Sequence, residues 1–415
     1  MAADWPAIST LLDELLALPP PEREAWVDGL ADERARLKDW LKRLLSARGA
    51  NHTDQFLQQL PFLPGLAEAS PWEAASAGMR VGPYRLISEL GRGGMGTVWL
   101  AERADGQLKC QLALKLPHMA WDGSLAGRLM RERDILASLT HPNIARLYDA
   151  GADDHGRPYL AMEVVEGSSI DHYCKAQGAG VRQRLELLLQ VCAAVAHAHA
   201  QLVIHRDLKP GNIMVTAHGQ VRLLDFGIAK LMDGDRTDET ALTRISGRAL
   251  SLDYASPEQI RGDPIGTASD VYSMAVVAYE LLTGQPPYRL KRGSAAECEE
   301  AITQADPARA SDVAATRDLR KNLRGDIDAI LNKALKKAPT DRYPTMVAFA
   351  EDIERHLHGR PVVARPESRS YLARRFIGRH RVTAMALAAV IVAFSLGLVI
   401  GARQGSWRLV HAALS

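Results

Sequence analysis

One stretch of the chain, Gly91-Arg92-Gly93-Gly94-Met95-Gly96, has the form G-x-G-x-x-G, a spacing suited to holding phosphates. By itself that pattern also fits a dinucleotide-binding turn. The residues after the glycines separate the two readings. A dinucleotide fold requires a helix directly after the glycines, whereas Thr97-Val98-Trp99-Leu100-Ala101 reads as another strand. A glycine loop joining two strands is a flap whose backbone N–H groups can close over phosphates without side-chain obstruction. Val98 then lies against a base. Further on, Ala113-Leu114-Lys115 ends another strand-like run. A lone lysine is ordinarily a solvated surface group, but one in the strand after a glycine flap reaches α- and β-phosphates. It needs a carboxylate to hold it. Glu132, on the helical stretch Arg128–Leu139 just before His141-Pro142-Asn143-Ile144, is placed to supply one.

The decisive segment is His205-Arg206-Asp207-Leu208-Lys209-Pro210-Gly211-Asn212, followed by Asp225-Phe226-Gly227. With these motifs in this order, the chain resembles the bacterial eukaryotic-like (Hanks-type) serine/threonine protein kinases over about Tyr84 to His358. Tyr254-Ala255-Ser256-Pro257-Glu258-Gln259 and Ala268-Ser269-Asp270-Val271-Tyr272-Ser273 are similar to membrane-anchored bacterial members, many of which carry a helical N-terminal extension.

The resemblance implies transfer of the γ-phosphate of ATP to Ser/Thr hydroxyls of proteins, a reaction that needs positioning and charge neutralisation more than covalent chemistry. Asp207 is expected to orient the acceptor hydroxyl and Lys209 to sit over the γ-phosphate. Asn212 and Asp225 supply hard oxygen ligands for Mg²⁺, with Mn²⁺ an alternative. Leu90, Val98, Ala113, Met162 and Met214 fall where the apolar adenine slot is expected, and Gly91, Gly93, Gly94 and Gly96 cover the phosphates. In the connector Met162-Glu163-Val164-Val165, the Glu163 carbonyl and the Val165 N–H face the adenine edge. His205 and Phe226 are read as packing that aligns the catalytic loop, and Glu258 with Arg342 as a buried ion pair. Ser256 stands where Ala is commoner, Ala275 where Gly is frequent, and Ser251 where Thr is usual, keeping a hydroxyl for Asp207 and Lys209. Arg206, joined by Lys230, forms a cationic pocket expected to receive a phosphate on the segment Leu231–Leu250. Thr243 is the first choice of acceptor there and Thr240 the second, with solvated hydroxyls as the plain alternative. Two other readings stand beside the active kinase: a catalytically dead membrane scaffold, and a small-molecule phosphotransferase. Lys115, Glu132, Asp207, Asn212 and Asp225 are all present, which weighs against the first. Ser256-Pro257-Glu258 weighs against the second.

The elements that must position these residues are legible in the texture of the chain. Short β-type runs at Tyr84–Leu90, Thr97–Glu102 and Leu108–Leu116 give way to helical periodicity at Leu125–Leu139 and to long helical stretches after Arg182. Strands followed by helices predict an α+β protein with two lobes, β-rich first and helical second. The expected organisation is a helical extension over residues 1–60, a linker over 61–79 and a catalytic domain over 80–358. A basic juxtamembrane segment over 359–381, a transmembrane helix over 382–402 and a short extracytoplasmic tail over 403–415 complete it. The extension rests on Ile8, Leu11, Leu12, Leu15 and Leu16 and two further apolar repeats, which fit a helical module or a loose extension alike. Asp13 and Glu14 interrupt the early apolar run, which argues against an export signal.

Val382 to Ala402 is 21 residues without a charge, enough for a helix of roughly 30 Å, the thickness of a bilayer core. A soluble core helix would show a polar face over that length. Arg365, Arg369, Arg374, Arg375, Arg379 and Arg381 precede it, and only Arg403 and Arg408 come after. That bias predicts a single pass through the bacterial inner membrane with the catalytic part in the cytoplasm. The lipid bilayer is thus one expected partner, and protein substrates bearing Ser or Thr are another. A homodimer for phosphorylation in trans is a third. The net charge of +2 from 51 Lys+Arg and 49 Asp+Glu disfavours nucleic acid as the main partner. Four dispersed cysteines (Cys110, Cys174, Cys192, Cys298), none in a C-x-x-C pair, predict reduced structural thiols.

Overall fold

The computed structural model of the chain describes residues 75–93, 96–104, 111–117, 136–226, 252–288 and 295–365. The expected N-terminal helices, residues 61–74 of the linker, the transmembrane helix and the tail lie outside these residues, as do Cys110, Glu132, Gly94, Lys230, Thr240, Thr243 and Ser251. Residues 75–79, expected in the linker, join the sheet lobe instead: the Gly78 N–H bonds to Leu86 O at 2.8 Å, the Leu86 N–H to Met79 O at 2.9 Å, and Ala75 and Met79 pack on its core. Among the described residues no helix is long and apolar enough to cross a membrane.

The first lobe is an antiparallel sheet of six strands in the order β1-β2-β3-β4-β6-β5. These are β1 (Arg80–Val81), β2 (Tyr84–Gly93), β3 (Gly96–Arg103), β4 (Gln111–Pro117), β5 (Leu147–Ala152) and β6 (Pro158–Met162). Period-two alternation decides what each strand presents to which face. Tyr84, Leu86, Trp99, Ala101, Leu112, Leu114, Leu116, Tyr159 and Ala161 share the outer core of the lobe with Val81. The intervening residues Ala113, Leu160 and Met162 join the main core with Val98 packed beside them. β4 is covered on both sides, which is why its sequence reads as an almost unbroken apolar run. The strands extend past their expected ends: β2 continues to Gly93 and β3 starts at Gly96, so Gly93 pairs with Gly96 at the tip of the hairpin.

The second lobe is helical. It comprises α1 (Ile170–Ala176), α2 (Val181–Ala200), α3 (Pro257–Arg261), α4 (Thr267–Thr283), α5 (Ala295–Gln304), α6 (Arg317–Leu323), α7 (Asp326–Ala334) and α8 (Met346–Leu357). A small sheet, β7 (Ser168–Ser169), β8 (Ile213–Val215) and β9 (Val221–Leu223), lies at its upper edge. α4 is apolar almost all round and is buried over nearly its whole length, as a central helix must be. α2 and α8 pack on each other and α4 packs on both. Of the helix expected over Leu125–Leu139, the described part is residues 136–138, and Leu139 lies beyond its last turn. The local sequence sets the shorter helices. Ser256 and Gln259 form a reciprocal capping box around Pro257 on α3, and Gly262 closes that helix at φ 75°. Thr316 and Thr345 cap α6 and α8 by accepting the N–H groups of Leu319 and Ala348.

The packed lobe continues beyond the expected boundary at His358. Asp352, fully buried, accepts the N–H groups of Val363 at 2.7 Å and Ala364 at 2.8 Å as well as the Tyr343 hydroxyl at 2.8 Å. Val362 is buried, and Arg365 pairs with Asp326 at 3.0 Å. Residues 361–365, expected in the basic juxtamembrane segment, therefore belong to the helical lobe. A buried carboxylate needs donors, and this segment supplies two of them as backbone N–H groups. Cys174, Cys192 and Cys298 are free and buried; burial pushes the Cys192 and Cys298 thiols up to about 12, which leaves them unreactive at neutral pH.

Candidate active site

The cleft between the lobes gathers most of the expected chemistry. On the sheet side, the register sets Val98, Lys115 and Leu160 in one row across β3, β4 and β6, with Leu100, Ala113 and Met162 in the next. Paired residues share a face, so Lys115 projects into the cleft beside Val98. The glycine hairpin is shaped by close approach: a Cβ on Gly96 would lie 2.5 Å from the Leu116 carbonyl oxygen, closer than any side chain tolerates. Around Gly91 and Gly93 there is open space instead. Those two glycines leave the approach to their backbone clear. Leu90, expected to line the adenine slot, is half exposed at 51%, whereas Ala113 and Met162 are buried.

Among the described residues, the carboxylate on Lys115 is Asp225: Lys115 Nζ lies 2.7 Å from Asp225 Oδ2. Glu132, the expected partner, lies outside the described residues. Lys115 and Asp225 are 110 residues apart in sequence and meet only because β4 and the turn after β9 face each other across the cleft. The lysine side chain is almost fully buried, so its charge requires a partner there.

On the helical side, Asp207, Lys209 and Asn212 form one cluster. Lys209 Nζ lies 2.8 Å from Asp207 Oδ2. Asn212 Nδ2 donates to the Asp207 carbonyl at 2.8 Å and to Oδ2 at 3.0 Å. With its amide nitrogen so occupied, Asn212 keeps its Oδ1 as an acceptor, and Asp225 keeps its second carboxylate oxygen. These two hard oxygens fit a divalent cation. The Asn212 N–H and carbonyl are anchored too, through Lys209 O at 3.0 Å and Leu224 N at 2.8 Å.

A buried frame holds this loop in a conformation it would not choose. Arg206 and Asp225 have φ of 68° and 62°, in the left-handed region that side chains disfavour. Asp270, at the start of α4, accepts the N–H of His205 at 2.8 Å on one oxygen and that of Arg206 at 2.9 Å on the other. His199 of α2 lies 2.7 Å from Asp270, orienting it. Gln259 of α3 donates to the Arg206 carbonyl at 2.8 Å. His205 is buried, donates from Nε2 to the Leu224 carbonyl at 2.9 Å and packs on Phe226 with ring centroids 4.7 Å apart, as expected for the residues that align the loop. The sequence placed Asp270 within one of the motifs that carry the resemblance, but did not single out His199 or Gln259. For His199 the available signal was a polar side chain one turn from Val195 and Ala196 on an apolar stretch of α2; for Gln259 it was the Ser256-x-x-Gln259 capping spacing.

The expected Glu258–Arg342 pair is present and buried. Two bonds of 2.7 Å join the guanidinium to both carboxylate oxygens, and Ser269 Oγ donates to Glu258 at 2.6 Å. Burial alone would raise the Glu258 carboxyl, but the bonds from Arg342 and Ser269 hold it below the ordinary carboxylate range. Arg342 also donates to the carbonyls of Lys336, Ala268 and Lys337 and lies over the Tyr272 ring. That network joins α3 and α4 to the turn before α8.

The connector between the lobes, residues 163–166, comes directly after β6 and carries Glu163 and Val165. Met214, expected to line the adenine slot, is partly buried on β8, where it pairs with Ser169 and Arg222.

Comparison with known proteins agrees with this geometry. Residues 84–356 match the family model described as a protein kinase domain. The serine/threonine-protein kinase PknB of Mycobacterium leprae is 35% identical over 284 residues, covering 67% of this chain and 43% of that protein. The serine/threonine-protein kinase PrkC of Bacillus subtilis is 34% identical over 276 residues, 66% of this chain and 40% of that protein. The chain thus spans about two-fifths of the length of these curated relatives. Among solved structures, the kinase domain of Mycobacterium tuberculosis PknI (C20A_R136A double mutant) matches with a TM-score of 0.53 and 25% identity, covering 68% of this chain and 98% of that one. With the family model covering well over half of its length, this chain belongs to the protein kinase domain family.

Proposed function

We propose that the protein is an ATP-dependent serine/threonine protein kinase of the bacterial Hanks type. The observation that carries the reading is the convergence of Lys115, Asp225, Asp207, Lys209 and Asn212 on one cleft, with Lys115–Asp225 at 2.7 Å and Asp207–Lys209 at 2.8 Å. Lys115 neutralises the nucleotide phosphates beneath the glycine hairpin. Asp207 orients the acceptor hydroxyl and takes its proton, while Lys209 offsets charge on the transferred group. Mg²⁺, held by Asn212 and Asp225 together with the nucleotide, supplies neutralisation of phosphate charge. The adenine ring lies between Val98, Ala113 and Met214, its edge against the Glu163 carbonyl and the Val165 N–H.

The wider organisation belongs to the same proposal. Residues 382–402 tether the catalytic domain to the inner membrane from the cytoplasmic side, and two tethered copies phosphorylate each other on Thr243 or Thr240. The support is the charge-free stretch with its basic flank and the position of Arg206 beside Asp207. Incubating the purified full chain with radiolabelled ATP, Mg²⁺ and a generic basic protein tests the reaction. Transfer of label to Ser or Thr in the acceptor is expected. ATP binding without transfer would leave a scaffold, and transfer only to small molecules would overturn the protein-kinase reading. Detergent-free extraction of the full-length chain into the soluble fraction would overturn the tether.

A further inference from the structure

Arg222, on β9, has no part in the reaction described above, yet it occupies a junction of the nucleotide site. Three segments from distant parts of the chain meet there: the loop 143–146 leading into β5, the connector at Glu163, and β9 itself. Backbone bonds already join the loop to β9, Leu223 N–H to Asn143 O at 2.8 Å and Ala145 N–H to Leu223 O at 2.9 Å. They also join the loop to the connector, Glu163 N–H to Arg146 O at 2.9 Å. The Glu163 side chain closes the triangle. Its Oε2 accepts the Arg146 N–H at 3.1 Å and its Oε1 lies 3.5 Å from Arg222 Nε. Arg222 is paired with Met214 in the β8–β9 ladder, and paired residues share a face. Arg222 therefore stands beside Met214 on one face of the ladder while its guanidinium reaches the side chain of Glu163 on the connector.

We infer that Arg222 is a positioning residue for the nucleotide, a strut that sets the gap between the connector at Glu163 and β8 at Met214. The inference rests on the kinase reading for its substrate. Arg222 and Glu163 are 23% and 29% exposed, so the pair is partly shielded from water and its loss is felt, though modestly. The pair's partners are Arg146 and each other, on the connector side of the cleft, so the transfer step is expected to be unaffected once ATP is seated. The signature of a strut is a change in nucleotide affinity with turnover preserved.

The test uses the purified full chain with Arg222→Ala, Arg222→Lys and Arg222→Glu. Initial rates against ATP concentration, binding of a fluorescent ADP analogue and thermal denaturation are measured for each. For Arg222→Ala the expected result is a KM for ATP and an analogue Kd each raised about 2–5-fold, with kcat unchanged. Arg222→Lys restores part of the affinity, and Arg222→Glu, placing like charges together, weakens it further. Wild-type affinity in both Arg222→Ala and Arg222→Glu would overturn the strut. So would loss of kcat and Tm together without a change in analogue affinity, which marks a residue that merely holds the fold. Should the wild-type chain bind the analogue but transfer no phosphate, the kinase reading falls. The affinity ratio between variants then still decides the strut.

Discussion

The two sides of the cleft are built on opposite physical terms. On the sheet side, a small outer core backs strands that present Lys115 and the glycine hairpin by simple alternation, and Leu90 near the hairpin stands half in solvent. On the helical side, Asp207 and Asn212 sit on a loop with strained backbone, locked by Asp270, His199 and Gln259 over a large continuous core. The difference matches the tasks. A nucleotide must enter and leave beneath the hairpin, so that side requires open backbone and few obstructing side chains. The acceptor hydroxyl must meet a fixed carboxylate, so the other side is held by buried polar groups, each of which is costly to leave unsatisfied.

The sharpest way to break this comparison is to remove one chemical group from each side. Asp207→Asn is expected to lower phosphate transfer by about 10²–10⁴-fold while nucleotide binding and Tm stay near wild type, because the surrounding frame is untouched. Lys115→Ala should abolish transfer through loss of nucleotide phosphate contacts, read as weakened binding of the nucleotide. Equal nucleotide affinities in the two variants would erase the distinction.

The next largest effect concerns stability. Arg342→Ala strands the Glu258 carboxylate in the core and should cost about 3–5 kcal/mol, seen as a large fall in urea midpoint. On the sheet side, Arg85→Ala removes a pair with Glu102 whose arginine is more than half exposed, and should change stability by at most about 1 kcal/mol. Similar losses at both sites would show that burial does not separate the lobes.

Leu202 sharpens the argument about strain. It adopts φ 61°, as Arg206 and Asp225 do, but it is 93% exposed and lies in the turn after α2. There the strain does no chemical work, so Leu202→Gly should be neutral to stabilising by up to about 1 kcal/mol, whereas Arg206→Gly should lower transfer. A marked loss of Tm in Leu202→Gly would refute this.

The smallest effect is an acid limit at the junction of the lobes. His141 and His197 stack with ring centroids 5.1 Å apart, and the His141 Nδ1 accepts the Asn143 N–H. Burial first, and the neighbouring His197 second, hold the His141 imidazole below its ordinary range. The unfolded chain therefore binds more protons than the folded one between the lowered value and about 6.5, so stability falls as pH drops through that window. His141→Asn should flatten the acid limb of a plot of Tm against pH, and an unchanged limb would assign it to other groups such as His356.

Much of this protein was legible in its sequence, because its chemistry is written in short segments. Asp207, Lys209 and Asn212 lie within six residues, and a loop that short cannot hold them far apart. Lys115 was read from a strand after a glycine hairpin, and the α+β order of lobes from the change of period along the chain. The capping box of α3 and its glycine stop at Gly262 are equally local, although the sequence reading did not name them. What only the tertiary structure decided are the pairings between distant groups, apart from Glu258 with Arg342, which the family resemblance implied. Lys115 meets Asp225 because two elements 110 residues apart face each other, a pairing that local pattern cannot specify. Asp270 clamps a loop 64 residues before it, and Arg222 reaches Glu163 across a junction of three segments. The helical lobe continues past the expected boundary at His358 for a similar reason: buried Asp352 recruits backbone donors from the segment after α8. Periodicity specifies which residues are buried. Which buried charge meets which partner is set by packing, since a desolvated group takes whatever donor the fold brings within about 3 Å.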